Sequence, residues 1–370
     1  MLDVFNAIIQ PSEQAYGSGI YRTIPGAYIS NYTHTISSFG GYDTCQLTMY
    51  IKKSDLDIFL TRVLGNSIKI MTGESEIIWE GFINELTTTY NNNDINIGPL
   101  MDIANKVLVR YSEYTTGVPG VTTYANDTIS QLRYGIFTKV LNSASVSAVN
   151  AENIRNNYMA DNRFPFYNVA LTIQDNASFS VTLNCLGNYH LLNTYVYNNA
   201  TVGTYTIREK IIEVLQAHPK RLFESYGNIV TNALSVDRVE DEDRLAIDII
   251  KELVALGDVS NNKMLFGIYN NRTIYYKALP NDVRYHYRSY NNSRYITNNA
   301  GGKVNIASFK PGYYIGISDV PDIMGSSLKS VPKYIFAENV SFTAPYGLTV
   351  TGSNVSTLSQ KLAKLGISGL

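Results

Sequence analysis

The sequence predicts a mainly β protein with α/β insertions: two related β-barrel-like domains plus a small α/β unit. Three observations carry this. First, apolar and polar residues alternate through most of the first hundred residues, in "GAYISNYTHTIS", "CQLTMYIKK", "NSIKIMTG" and "IIWEGFINELTTTY". Second, capped helical stripes are concentrated between residues 206 and 285. Third, a strand–glycine–apolar device occurs twice. "INIGPLMDIANKVLVRYSEYTTG" passes Gly98 and ends in Tyr111 and Gly117; "VTLNCLGNYHLLNTYVYNNATVG" passes Gly187 and ends in Tyr195, Tyr197 and Gly203. This echo predicts a duplicated β-domain. The chain then divides into a first β-domain (1–118), a helical segment with a second, related β-domain (119–205), an α/β unit (206–285) and a C-terminal β segment (286–370). That last segment completes a barrel and ends in a short helix, so the domains are free to be discontinuous.

Each element has its local signal. "SDLDIFLTRVLG" reads as a helix with Ser54 as N-cap, Asp55 and Asp57 in the first turn and Gly65 as its left-handed stop. Gly73-Glu74-Ser75 separates two strands. The second carries Ile78, Glu80 and Phe82 on one face and Ile77, Trp79, Gly81 and Ile83 on the other. Bulky residues on both faces require cover on both faces, inside a sheet or at a contact between subunits, and Gly81 suits a bulge or a close backbone approach. "NNND" makes the next turn. In the Ala-rich stretch after "YGIFTKVL", Ala148, Ala151, Ile154 and Tyr158 share a helix face. Thr206 and Glu209 form a capping box ahead of the stripe Ile207, Ile211, Val214 and Leu215, which Pro219 ends. "GNIVTNALSVD" reads as a strand. "DEDRLAIDIIKELVALGD" reads as a helix with acids in its first turn and Gly257 just past its end. "KMLFGIYNNRTIYYKALP" reads as a hairpin with a type I′ turn at Asn270-Asn271, and "STLSQKLAKLGISGL" as an amphipathic terminal helix.

Composition excludes several classes. Of 370 residues 45% are hydrophobic, ample for real cores, and Lys plus Arg (30) balances Asp plus Glu (31). No basic face for nucleic acid is expected. Only 16% of residues are charged, and 29 tyrosines with abundant Asn supply the polar surface, which suits contact surfaces or reflects A+T-rich codons. The N-terminal stretch has no basic region, so no signal peptide is expected, and no apolar run approaches the roughly 18 residues of a membrane span. Cys45 and Cys185 read as reduced core residues. The four histidines, His34, His190, His218 and His286, show no metal-ligand spacing, and no nucleophile or phosphate-loop motif occurs. "EDED" reads as helix-dipole acids rather than as a catalytic pair or a calcium loop. The Tyr-rich "YRSYNNSRY" and "GYYIGI" read as sheet packing or subunit surface rather than as base- or sugar-stacking platforms. No catalytic, cofactor-binding or metal-ligating residue is therefore nominated, and no enzyme activity is expected; Glu74 and Glu76 are the acids whose mutation tests this.

The order of the pieces carries a resemblance. "IIWEGFI", "YGIFTKVL", "RFPF", "NCLGNYHLLNTYVY", "IREKIIEVL", "IIKELVALGD", "KMLFGIYNNRTIYYKALP" and "KPGYYIGISDV" follow one another over residues 30 to 345. In this order the chain resembles the tail or baseplate hub-like minor tail proteins of tailed bacteriophages. The resemblance implies a virion structural protein, a homotrimeric ring with two related barrels per subunit, placed between the tail tube or distal tail ring and tip or spike proteins. It also implies assembly in the host cytoplasm, DNA only as passing cargo and no membrane insertion. A Trp on a strand covered on both faces then suits a barrel wall packed on a neighbouring subunit. Rival readings are the hexameric distal tail ring, a receptor- or glycan-binding tail adhesin, and a glycosidase, which would need two carboxylates across a cleft.

Overall fold

The computed structural model describes residues 5–11, 21–90, 93–171, 180–199, 203–218, 223, 225–237, 240–280, 282–290, 293–317, 334–345 and 347–353. The expected turn at Asn91-Asn92, the helix stop at Pro219 and the terminal helix lie outside these residues.

β1 (Phe5–Gln10), β2 (Arg22–Ile24), β3 (Ile29–Ser37) and β4 (Gly40–Tyr50) lead through α1 (Lys53–Arg62) to β5 (Ser67–Thr72), β6 (Ile77–Tyr90) and β7 (Asn93–Ile97). β1 pairs with β2 and β5, β5 with β6, β6 with β7 and β3 with β4, all antiparallel. Strand alternation turns Ala7, Ile9, Tyr32, Leu47, Met49, Ile68 and Ile70 inward to one core, all fully buried. α1 covers it with Leu56, Phe59 and Val63. Ser54 is not the cap of α1. Lys52 holds that position without a side-chain bond, and Gly65 (φ 82) stands beyond the Val63 C-cap. Burial of the apolar stripe, not a cap, sets where this helix begins. The β5–β6 turn falls at the expected residues, with Ser75 at φ 66 and its N–H on the Thr72 carbonyl at 2.9 Å.

The chain then leaves this sheet. β8 (Lys106–Glu113), β9 (Pro119–Val121), β10 (Ala125–Asn126), α2 (Thr128–Tyr134), β11 (Thr138–Val146) and α3 (Ala148–Asn162) form a small unit around β8. β8 pairs parallel with β11 and antiparallel with β9 and β10. Asp127 caps α2 and Ser147 caps α3. The packed face of α3 is Ala151, Arg155 and half-buried Tyr158; Ala148 and Ile154, expected there, are exposed. Arg155 fixes that rotation, donating to the Thr123 carbonyl at 2.8 Å and its hydroxyl at 2.9 Å.

β12 (Tyr167–Leu171) and β13 (Ser180–Gly187) return to the first sheet. β12 extends it beside β7, and β13 inserts between β4 and β6. This corrects the expected second β-domain within 119–205: the strands before Gly98 and before Gly187 belong to one sheet. The echo is local only. Each strand runs through its glycine into a 3-10 turn, Leu100–Asp102 or Asn188–Asn193. The glycines answer different demands. Gly98 takes φ 120, whereas Gly187 has an ordinary φ of −64 and lies against the Tyr42 carbonyl, where a Cβ would stand 1.7 Å away.

The α/β unit comprises β14 (Val196–Asn199), β15 (Thr204–Thr206), α4 (Ile207–Gln216), β16 (Ser225–Ile229), β17 (Ser235–Asp237), β18 (Glu240–Leu245), α5 (Ala246–Ala255), β19 (Met264–Tyr269) and β20 (Thr273–Ala278). The Thr206–Glu209 capping box forms, and Ile207, Ile211, Val214 and Leu215 are buried as the stripe requires. "EDED" does not open the helix. It lies on β18, which pairs with β14 through Leu245–Val196 and Arg244–Tyr197, so the first turn of α5 holds only Asp248. "GNIVTNALSVD" splits into β16, parallel to β20, and β17, paired with β15. The β19–β20 turn has positive φ at Asn271 and Arg272, one residue later than expected.

β21 (Val283–Tyr290), β22 (Ser293–Asn298), β23 (Tyr314–Ile317), β24 (Tyr334–Ala344) and β25 (Gly347–Ser353) complete the described chain. β21 pairs with β22 and β23, and β24 with β23, β25 and β3. A hydrogen-bonded ladder therefore runs β22–β21–β23–β24–β3–β4–β13–β6–β7–β12. The C-terminal strands keep a small core of their own in Ile296, Phe309, Ile315, Ala337 and Val340. Among the described residues no helix is long and apolar enough to cross a membrane.

Candidate functional site

Three places in the fold could serve an assembling subunit: the Trp79 strand, the junction under the β19–β20 turn, and the outer strand β12. Trp79 is fully buried within one chain. It faces Ile70 across the β5–β6 ladder and lies 6.1 Å from the Tyr42 ring. At Gly81 a Cβ would stand 2.1 Å from the Leu186 carbonyl, so the close backbone approach expected there is real. Phe82 projects instead into the core of the α/β unit. The two-sided strand is thus covered by its own chain, and this corrects the expectation that a neighbouring subunit packs on Trp79.

The junction is polar. The Tyr42 hydroxyl donates to Asn270 Oδ1. The Asn271 N–H donates to buried Glu80 at 2.5 Å, and Lys69 donates to Asn271 Oδ1 at 2.9 Å and lies 3.9 Å from Glu80. The Lys310 ammonium sits 5.0 Å from the Tyr269 ring centre and 5.9 Å from that of Tyr42, with burial holding its pKa below the usual lysine range. Charge-assisted bonds to Glu80 hold the turn on the first sheet. Sequence pattern gives no hint of this socket, because its partners are 191 to 228 residues apart.

β12 is the opposite case. Among the described residues it pairs only with β7, and Phe164, Phe166, Tyr167 and Val169 are exposed; Ile129 and Leu132 of α2 are exposed as well. Phe166 and Tyr167 are 70% and 57% exposed and point to opposite faces, so this strand is uncovered on both.

Among the described residues no group of three or more His, Cys, Asp or Glu side chains converges as a metal site. The histidines are scattered. His34 is buried with its Nδ1 2.7 Å from the Tyr32 hydroxyl, and burial lowers its pKa to about 3. His190 bonds Asp43 at 2.9 Å, which is the main cause holding that carboxyl below its usual range. His218 lies edge-on to Tyr195, and His286 lies 3.1 Å from Asn299. Cys45 and Cys185 face each other across β4–β13, both buried and free. Burial pushes the Cys45 thiol up, which makes it unreactive. Glu74 is exposed in its turn, and Glu76 accepts from Asn305 Nδ2 at 3.4 Å. A cleft of about 780 Å³ between the end of α5, the β3–β4 turn and β24 includes Lys251, Lys263 and Phe336 but a single carboxylate, Glu338. Glycoside hydrolysis by the usual pair of acids has no second acid there.

No protein-family model and no curated protein matches the chain. Among solved structures it is similar to the 43 kDa tail protein of prophage MuSo2 from Shewanella oneidensis, at 8% identity and a TM-score of 0.44, over 94% of this chain and 95% of that one. It is similar to the tail protein from Neisseria meningitidis MC58, at 7% identity and a TM-score of 0.43, over 94% and 96%. It is also similar to the Escherichia coli c3393 protein, described as a type VI secretion component with structural similarity to the phage T4 tail proteins gp27 and gp5. There the identity is 10% and the TM-score 0.39, over 89% and 74%. Likenesses this distant fix neither a role nor a partner.

Proposed function

We propose that the chain is a structural, non-enzymatic subunit of the tail or baseplate of a tailed bacteriophage, a hub-like protein whose copies close into a ring. On this reading three copies surround the path of the DNA and link the tail tube or distal tail ring to tip or spike proteins. The observation that carries it is the uncovered strand β12, with Phe164 and Phe166 exposed just ahead of it. A subunit that leaves such an edge open is completed by a protein neighbour. The order of sequence words and the sheet running through most of the chain support the same reading. A permanent ring would bury over ~2,000 Å² per subunit pair. Sedimentation of the purified protein and the symmetry of the particle test it. Three-fold closure is expected; a six-fold ring would assign the chain to the distal tail ring, and a stable monomer in the particle would end the proposal.

A further inference from the structure

The strands of the C-terminal segment leave an apolar groove open. It holds about 520 Å³ and its lining runs from Ile335, near the start of β24, to Gly347, where β25 begins. Ile315, Ile317, Leu348 and Val350 form its walls. Ile335, Leu348 and Val350 pack on the small core around Phe309 and Val340, yet they and Ile317 are only half-buried. Side chains in this state still have apolar area to remove from water, and a groove gathers that area in one place.

The chain itself runs past this groove. In the β24–β25 ladder Ser353 stands opposite Phe336, and the adjoining Ile335 stands opposite Ile315 on β23. β25 therefore ends beside the groove's lining. The sequence that follows, 354–370, lies outside the described residues and has the pattern such a groove takes. Leu358, Leu362 and Leu365 recur at i, i+4 and i+7, the spacing of anchors on a helix laid in an apolar groove. Val355 falls on the same side, while Lys361 and Lys364 fall to one flank, where their ammonium groups stay in water. Thr357 and Gln360 have capping-box spacing, and Gly366 stands where a helix stop belongs. Residues 354–357 reach up to ~13 Å when extended, so the first leucine needs no longer linker. A segment tethered this closely is present at roughly millimolar effective concentration, which favours it over any free competitor.

We infer that residues 355–365 lie as an amphipathic helix in the groove of their own chain and complete the C-terminal core. The inference is independent of the ring proposed above. Amide hydrogen exchange of the purified full chain tests it. Amides of residues 358–365 should exchange at least ~10-fold more slowly than in a free peptide of residues 354–370. Leu348→Asp with Val350→Asp should abolish that protection while the amides of β6 keep theirs. Leu358→Asp with Leu362→Asp should abolish it as well, and should raise the fluorescence of an anilinonaphthalene dye by uncovering the groove. Unprotected amides in the native chain overturn the inference, and so does protection that survives the groove substitutions. Protection lost on dilution, in step with dissociation seen by sedimentation, assigns the groove to a second copy and overturns docking within one chain. If the groove variant does not fold, the leucine variant decides alone, and unchanged dye fluorescence overturns the inference. A monomer with protected amides at 358–365 ends the ring and leaves this docking standing.

Discussion

β6 and β12 belong to the same ladder, and both carry large apolar residues: β6 on both faces, β12 at Tyr167 and Val169, with Phe166 just ahead of it. Trp79 on β6 is fully buried, whereas Phe166 and Tyr167, entering β12, are 70% and 57% exposed. Residue type does not distinguish them. β6 is flanked by β5, β7 and β13 and roofed by the α/β unit, while β12 has one partner strand among the described residues. The same kind of apolar loading is therefore covered in one strand and left open in the other. Only the long-range neighbours decide which.

Substitutions should separate the two roles, from the largest effect to the smallest. Burial of His34 should appear as acid sensitivity. Its ring stays neutral in the fold down to about pH 3, while the unfolded chain takes up a proton near pH 6.5. Stability should thus fall as pH drops from 6.5 towards 3 and not change through this group above 6.5, by on the order of 4 kcal/mol in total. Denaturant titrations of the native chain and His34→Phe at several pH values check this, the variant losing most of that slope. Trp79→Ala should cost ~3–5 kcal/mol of folding stability while the folded fraction keeps its oligomeric state. An effect on assembly without one on unfolding would mean that Trp79 is an interface residue after all. Gly81→Ala should cost ~1–3 kcal/mol, because the new methyl meets the Leu186 carbonyl and the Trp79 ring. Thr206→Ala removes one half of the capping box and should cost ~1 kcal/mol. Phe166→Ser with Tyr167→Ser should change the unfolding midpoint least, within about 0.5 kcal/mol, yet shift sedimentation towards the monomer. If that pair instead unfolds the chain, the contrast between β6 and β12 is lost.

Local signals were legible where the determinants are neighbours in sequence. The capping box and stripe of α4 and the turn before β6 follow from residues within one or two turns of chain; at Gly81 the glycine itself was the signal, although the Leu186 carbonyl it meets lies far away in sequence. "EDED" misled because its pairing partner, β14, lies some 45 residues away and outweighs the preference of acids for a helix start. The repeat misled for a similar reason. Both copies really do run from strand through glycine into a 3-10 turn, but sheet membership depends on which strand lies alongside. The Glu80 socket left no trace in either segment that builds it.

The sequence by itself determined the β-rich class, the helices of the 206–285 unit, the near-zero net charge and the double loading of the Trp79 strand, because periodicity, caps and charge act over a few residues. Only the tertiary structure decided that β13 threads between β4 and β6, and that Trp79 is covered by its own chain and β12 is not. These depend on contacts between strands distant in sequence, whose register is set by burying a shared core rather than by any local preference.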